Sequence, residues 1–266
     1  MLPRVHRIST DLGDFLLFAT HDVISQALYY SGAWEPWNIQ ISLALLDGAE
    51  VPVVVDVGAN VGAYAIPLAR ALAPHRGSVH AFEAQRIVYY QLCGNVVINR
   101  LDNCFPRHVA IGREECDLDL PVPDYTTEFN IGGFSLDAAI RARSSMTSIS
   151  ETGCTEKIRQ TTLDACKLPR ISLLKIDVEG MEQEVILGAA ATLTASSFPP
   201  LVFESWSNNE APWFKDKRAA TLSSIGDLGY RYAVAGNVGI ALHPEHPRQF
   251  DVVASSDGRI NITRKK

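Results

Sequence analysis

The chain has 266 residues, 47% of them hydrophobic and 20% charged, which suits one large packed α/β domain with extensions. Its net charge of −6 argues against general nucleic-acid binding: neutralising phosphates takes clustered Lys and Arg, and the one such cluster is the terminal Arg264-Lys265-Lys266. No apolar run reaches the roughly 18 residues of a membrane span, and MLPRVHRISTDLGDF lacks the long apolar core and small-residue cleavage site of a secretory signal.

Residues 1–50 precede the first core strand and read as an N-terminal extension or lid, of a kind that commonly lies over an active-site mouth. Within it Phe15–Ala19 reads as a short strand and Val23–Tyr30 as a helix capped by the His21-Asp22 pair. Gly32–Pro36 reads as a turn and Trp37–Leu46 as an amphipathic helix. From residue 51 the pattern alternates. Val53–Val57 is an apolar strand, 63–73 a helix that stops at Pro74, Ser78–Glu83 a second strand, 86–99 a second helix and 105–111 a third strand. The alternation breaks over 113–170, read as a substrate-side insertion at about 113–160 that mixes β-hairpin with loop. Its polar run Arg143–Gly153 is expected to be the most mobile stretch. Thr162–Cys166 then opens a short helix.

Ile171–Ile176 is a strand whose apolar run is interrupted only by Ser172 and Lys175, as suits the middle of a parallel sheet. A helix over 181–194 puts Met181, Val185, Ala189 and Leu193 on one stripe. Strand Leu201–Glu204 and helix 213–228 follow. Tyr230–Val234 and Val238–Leu242 form a hairpin around Gly236-Asn237, and a last strand covers 250–254. Parallel βα units closed by an antiparallel hairpin give an α/β fold with seven core strands.

Cys93, Cys104, Cys116, Cys154 and Cys166 are odd in number and form no C-x-x-C, so reduced thiols in a cytoplasmic protein are expected, rather than disulfides or a zinc site. His243 and His246 lie on a proline-flanked loop, where an ordinary turn outweighs a metal pair.

The most informative stretch is VVVDVGANVG, residues 53–62. A buried strand carrying Asp56 runs into the turn Gly58-Ala59-Asn60-Val61-Gly62 and then a helix, whose N-terminus offers free N–H groups. Glycine lets backbone pass close to a ligand, and Asn60 visits the left-handed region cheaply. The second strand ends in Glu83, where a doubly wound sheet places the acid that takes two ribose hydroxyls. Dinucleotide folds use a G-x-G-x-x-G turn with a third glycine inside the helix, which is missing here. The D-x-G opening looks like the S-adenosylmethionine turn of Rossmann-type methyltransferases.

VVVDVGANVGAYAIPLAR (53–70), HAFEAQ (80–85), NVVIN (95–99), TTLD (161–164), LLKIDVEGMEQEVILGA (173–189) and LVFE (201–204) together resemble the FkbM-type S-adenosylmethionine-dependent methyltransferase family. The resemblance covers 53–204. It implies a Rossmann-like class I methyltransferase fold over 51–266, with a mostly parallel seven-stranded sheet and a C-terminal antiparallel hairpin. It also implies methyl transfer to a hydroxyl of a sugar or secondary metabolite. Pro67 and Gln85 depart mildly from the family pattern. Residues 1–50 and 113–160 match poorly, and those regions would choose the acceptor.

The resemblance implies cofactor contacts at Glu35, Asp56, Gly58, Ala59, Asn60, Gly62, Tyr64, Glu83, Ala84, Ala110 and Asp177. Asp56 faces the methionine end and Glu83 takes the ribose. Asp177 and Glu179 are expected where acceptor meets methyl group, with Glu204 and His243 as further candidate bases; crowded carboxylates raise one another's pKa. Glu182 reads as a surface or first-turn residue, and Asn95 and Asn99 as structural. A divalent ion on Asp177, Glu204 and a loop carboxylate would suit magnesium, but no ligand spacing demands one, so no metal is expected. The expected partner is a small-molecule hydroxyl acceptor, without nucleic acid or membrane; a homodimer stays open. The alternatives are a nicotinamide-dependent oxidoreductase and a binding protein of the same fold without turnover.

Overall fold

A computed structural model of the chain describes residues 4–20, 22–125, 130–143, 151–205, 212–254 and 260–265. The chain opens with a hairpin, β1 (Val5–Thr10) and β2 (Gly13–Phe18), followed by helices α1 (Val23–Ser31) and α2 (Pro36–Leu45). Asp22 caps α1 by accepting from Ser25 N–H at 2.8 Å. His21 lies outside the described residues. The core then reads β3 (Val53–Val57), α3 (Ala65–Leu72), β4 (Ser78–Glu83), α4 (Arg86–Ile98) and β5 (Cys104–His108). An insertion carries β6 (Ala110–Ile111), β7 (Cys116–Pro123), α5 (Ala138–Arg143) and β8 (Glu151–Thr161). The core resumes with β9 (Leu173–Ile176), α6 (Glu182–Leu187), α7 (Ala190–Ala195), β10 (Leu201–Glu204), α8 (Pro212–Asp227), β11 (Arg231–Ala235) and β12 (Val238–Leu242). A last hairpin is β13 (Phe250–Ala254) with β14 (Ile260–Arg264).

Seven strands form the main sheet in the order β11-β12-β10-β9-β3-β4-β5. The strands from β10 to β5 run parallel, and β12 pairs antiparallel with both β10 and β11. Each face of the sheet has its own core. Val54 and Leu173 pack with α2, α3, α4 and the β1–β2 hairpin, while Val53, Val55, Val57, Leu174 and Ile176 pack with α6, α7 and α8. This two-sided burial is why the central strands are almost continuously apolar. The five cysteines are free.

The structure departs from the sequence pattern in three places. The expected strand 105–111 is two strands: β5 belongs to the main sheet, whereas β6 pairs with β8 in a separate sheet ordered β6-β8-β7. The expected helix 181–194 breaks at Gly188-Ala189, because Gly188 presses on backbone. A Cβ there would lie 2.0 Å from Gly112 O. Its apolar stripe survives the break, with Val185, Ala189 and Leu193 fully buried. The expected strand at 250–254 is present as β13 and pairs with β14 outside the main sheet. The first strand of the N-terminal hairpin, β1, is mostly exposed and carries no apolar alternation to betray it. Most of the run Arg143–Gly153 lies outside the described residues.

Candidate active site

Strands β3, β4, β9 and β10 point their carboxyl ends at one edge of the sheet, where ligands of open α/β folds bind. The first turn there is Gly58–Asn60. Gly58 has φ +82°, and a Cβ on it would sit 1.8 Å from Asp177 O, so only glycine lets β3 and β9 end side by side. Asn60 is left-handed at φ +51°. Its N–H donates to Glu83 Oε2 at 2.9 Å, and Gln85 N–H donates to Oε1 at 2.8 Å. Each carboxylate oxygen keeps a second lone pair for a ligand hydroxyl. Burial pushes Glu83 up to about 7, against the pull of those two N–H groups.

An open cleft runs over this turn. Gly58, Asn60, Glu83, Ala84, Ala110, Asp177 and Glu179 all line it. Its apolar wall comes from the insertion and its border: Ile111, Phe134 and Leu136. Asn130–Phe134, a Gly-Gly segment with no regular pattern, is held in place by Ile131 N–H donating to Asp22 Oδ1 at 3.0 Å. Thus the cap of α1 also fixes the far wall of the cleft.

A second, acidic cavity adjoins the first. Glu35, Asn38, Asp177 and Glu204 line one part, and Trp34, Glu35, Ala59, Tyr64 and Glu179 line a connected part. Oxygens of Asp177, Glu179 and Glu204 lie within 4.8 Å of one another. Burial first, then the neighbouring acids, pushes Glu179 and Glu204 well above the usual carboxylate range, and burial with Asp177 raises Glu35. Both Glu35 (φ +41°) and Glu179 (φ +54°) are left-handed. Glu179 lines the cleft and one part of the acidic cavity, and Asp177 lines the cleft and both parts.

Beneath Asp177 lies Lys175, the polar interruption of β9. Its Nζ is 3.1 Å from Asp56 Oδ1 and 3.3 Å from Asp177 Oδ2, and it donates to Gly58 O at 3.2 Å. Burial alone would lower the Lys175 ammonium; Asp177 and Asp56 hold it above the ordinary lysine range. Asp56 itself is wholly buried and reaches the site only through Lys175. The loop after β9 is shaped by Glu182, whose Oε1 accepts from Val178 N–H (3.2 Å) and Gly180 N–H (3.1 Å). Glu182 is buried, not a surface residue. Lys175 and Asn38 are not among the site residues read from the sequence. A charged residue inside an otherwise apolar strand was the available signal for Lys175.

Of the remaining expected residues, Tyr64 is on the wall of the acidic cavity, while Gly62 and His243 lie elsewhere. Gly62 packs against Leu92 and Ile66, joining α3 to α4 rather than lining the cleft. Tyr64 gives its hydroxyl to a 2.6 Å bond with Ser42, and its ring lies under Lys175. His243 ends β12, and the register Leu201↔Ala241 and Glu204↔Val238 puts it at the opposite edge of the sheet from Glu204. There it stacks on Phe198 at 3.9 Å and accepts from Glu245 N–H at 3.1 Å. The structure therefore does not bring His243 to the acids. Asn95 and Asn99 bind the backbone of β2, at Leu16 N (2.7 Å) and Asp14 N (2.9 Å).

A family model described as the methyltransferase FkbM domain matches residues 56–232, well over half of the chain. No curated protein matches the sequence. Among solved structures, the fold is similar to a precorrin-6y C5,15-methyltransferase from Geobacter metallireducens GS-15: 15% identity, 77% of this chain and 87% of that one, TM-score 0.46. It is also similar to a methyltransferase FkbM from Methylobacillus flagellatus KT (16% identity, 80% and 49% covered, TM-score 0.48), about half of whose length this chain spans. A third is M. jannaschii TYW2 in complex with AdoMet, at 15% identity, 90% and 84% covered, and TM-score 0.40.

Proposed function

The chain belongs to the methyltransferase FkbM family, its cofactor is S-adenosylmethionine, and from that premise we propose that it methylates a hydroxyl oxygen of a small molecule, a sugar or secondary metabolite. Family membership sets aside the nicotinamide oxidoreductase alternative.

One observation carries the reading: among the described residues, Asp177 alone lines the cleft and both parts of the acidic cavity. The cleft is the cofactor's place. Glu83 takes the ribose hydroxyls on its free lone pairs, Ile111, Phe134 and Leu136 flank the base, and Gly58–Asn60 carry the methionine end. The acidic cavity is the acceptor's place, roofed by Trp34 and Glu35 of the N-terminal extension. Bound S-adenosylmethionine supplies a methyl group on a positively charged sulfur. Asp177 aligns the acceptor hydroxyl beside the cleft, and alignment is the larger part of such a displacement. Asp177 would take the hydroxyl proton as the methyl group is transferred and share it with the acids of the cluster. Glu179 and Glu204 hold a proton there more readily than ordinary carboxylates do.

The test is turnover with ¹³C-methyl-labelled cofactor against a panel of sugars, polyols, phenols and amines. A labelled O-methyl resonance, lost in Asp177→Asn with cofactor binding kept, is the expected result. Transfer only to amines, or cofactor binding without transfer to any member of the panel, overturns the proposal.

A further inference from the structure

We propose that Asp22 and Gln85 are positioning residues for the cofactor: together they clamp the segment Asn130–Phe134, and through Asp22 the N-terminal extension controls the affinity for S-adenosylmethionine. This inference rests on the reading of the cleft as the cofactor's place.

Asn130–Phe134 belongs to no helix or strand, yet Gly132 and Phe134 line the cleft, and Asn130 and Gly132 line the adjoining acidic cavity. A wall without a backbone ladder must be held by other groups, because buried N–H and C=O groups need partners. Both backbone groups of Ile131, itself 1% exposed, are taken by side chains. Its N–H donates to Asp22 Oδ1 at 3.0 Å, and its carbonyl accepts from Gln85 Nε2 at 3.1 Å. The two side chains are themselves buried and fixed. Asp22 Oδ2 accepts from Ser25 N–H at 2.8 Å. Gln85 Oε1 accepts from the Tyr125 hydroxyl at 3.1 Å, and the Gln85 N–H donates to Glu83 Oε1 at 2.8 Å. One residue of the wall is thereby tied to the cap of α1 on one side and to the ribose acid Glu83 on the other.

The next residue fixes where the wall can lie. A Cβ on Gly132 would meet Ile24 Cδ1 of α1 at 2.9 Å and Asn60 Nδ2 of the motif turn at 3.0 Å. The segment therefore sits wedged between the extension and the turn that carries the methionine end. Among the described residues, none of the extension lines the cleft, so its influence passes through the wall. Without the clamp, the free chain spends part of its time with the wall detached. The cofactor then binds only the fraction in which the wall is in place, and the apparent Kd rises by the inverse of that fraction.

The experiment measures S-adenosylmethionine binding to the full chain by calorimetry, and amide hydrogen exchange over 130–134, in Asp22→Asn, Gln85→Leu and the double variant. Asparagine caps a helix about as well as aspartate, so Asp22→Asn keeps α1 capped but leaves a single accepting oxygen to the Ser25 and Ile131 amides. Each single variant should weaken binding about ten-fold, as a competent fraction of about one-tenth gives. The double variant should weaken it little further, since both changes release the same residue. Exchange at Ile131 and Gly132 should quicken in the free variants and return to the parent's rate once the cofactor saturates them, a return that a merely structural role does not produce. Affinity unchanged in both single variants, while Glu83→Ala still weakens it, overturns the clamp and leaves the reading of the cleft standing. Affinity unchanged in all three overturns both. Losses that multiply in the double variant, or exchange that stays at the parent's rate, also overturn the clamp. If Gln85→Leu does not fold, Asp22→Asn decides alone.

Discussion

Lys175 and Asp56 stand directly opposite each other in the parallel register of β9 and β3, and their charges meet at 3.1 Å with side chains 7% and 0% exposed. Because Nζ also lies 3.3 Å from Asp177, one ammonium ties the central strand to the loop that follows β9. Removing one member of a buried pair strands the other charge, at about 3–5 kcal/mol. Lys175→Met should lose about that much stability in urea denaturation. Adding Asp56→Asn should return part of it. Strictly additive losses in the double-mutant cycle would show that the pair is not coupled.

Gly58→Ala should be far more damaging than Gly236→Ala. Both glycines have positive φ, +82° and +57°, but a Cβ on Gly58 meets Asp177 O at 1.8 Å while one on Gly236 meets nothing within 4 Å. The strain of a left-handed alanine alone is about 1–2 kcal/mol. Thermal melts should show Gly236→Ala near that figure. Gly58→Ala should exceed it and lose S-adenosylmethionine binding by calorimetry; equal melting shifts would contradict the close approach.

Glu83→Ala should weaken cofactor binding without touching the acidic cavity. Hydrogen bonds to a charged group contribute about 1.5–3 kcal/mol, so the loss should be about ten- to hundred-fold in Kd. Unchanged affinity by calorimetry removes Glu83 from the ribose. Part of the loss will come from the turn, since the same carboxylate anchors Asn60 N–H and Gln85 N–H.

The motif residues that sit on backbone turns were legible in the sequence, because turn chemistry is local. Gly58, Asn60 and Glu83 follow from one strand–turn–helix and one strand end. Lys175 shows the limit. Its interruption of an apolar strand was visible, but its partner Asp56 depends on which strands become neighbours and in what register, and neither is encoded locally. The same holds for Asn38 and Glu35, which α2 brings to the site from the N-terminal extension. His243 failed for a geometric reason: an antiparallel strand carries its end back to the opposite edge of the sheet. Glu182 does stand in the first turn of α6, but where such a glutamate usually faces solvent it folds back onto the Val178 and Gly180 amides.

Glu182 gives a pH prediction of fixed sign. Burial raises it from an ordinary 4.5 to about 7. Between those values the folded chain keeps a proton that the unfolded chain has released, so this group's contribution to stability falls as pH rises through that window and stays low above it. The integrated change is about 3 kcal/mol at roughly 1.4 kcal/mol per pH unit. Glu182→Gln keeps the accepting oxygen and removes the titration. Relative to the parent, it should gain about that much stability between pH 4.5 and 7.5 in urea denaturation; a difference that stays constant with pH would contradict a buried, raised glutamate.

Asp177→Asn and His243→Ala together separate chemistry from support. Asp177 lines both cavities, within 4.8 Å of the oxygens of Glu179 and Glu204. Asparagine keeps its shape but neither accepts the proton nor pairs with Lys175. The rate of methyl transfer should fall about 10²–10⁴-fold, the usual contribution of a positioned acid–base group, with cofactor affinity retained. His243 lies at the far edge of the sheet, stacked on Phe198 and edge-on to Tyr230. Losing that ring should lower the melting temperature while kcat of the folded fraction stays within about two-fold of the parent, far from the 10²-fold expected of a general base. The opposite pattern, a rate collapse in His243→Ala and near-normal turnover in Asp177→Asn, would move the base to the other edge of the sheet and dismantle the assignment of the acidic cavity.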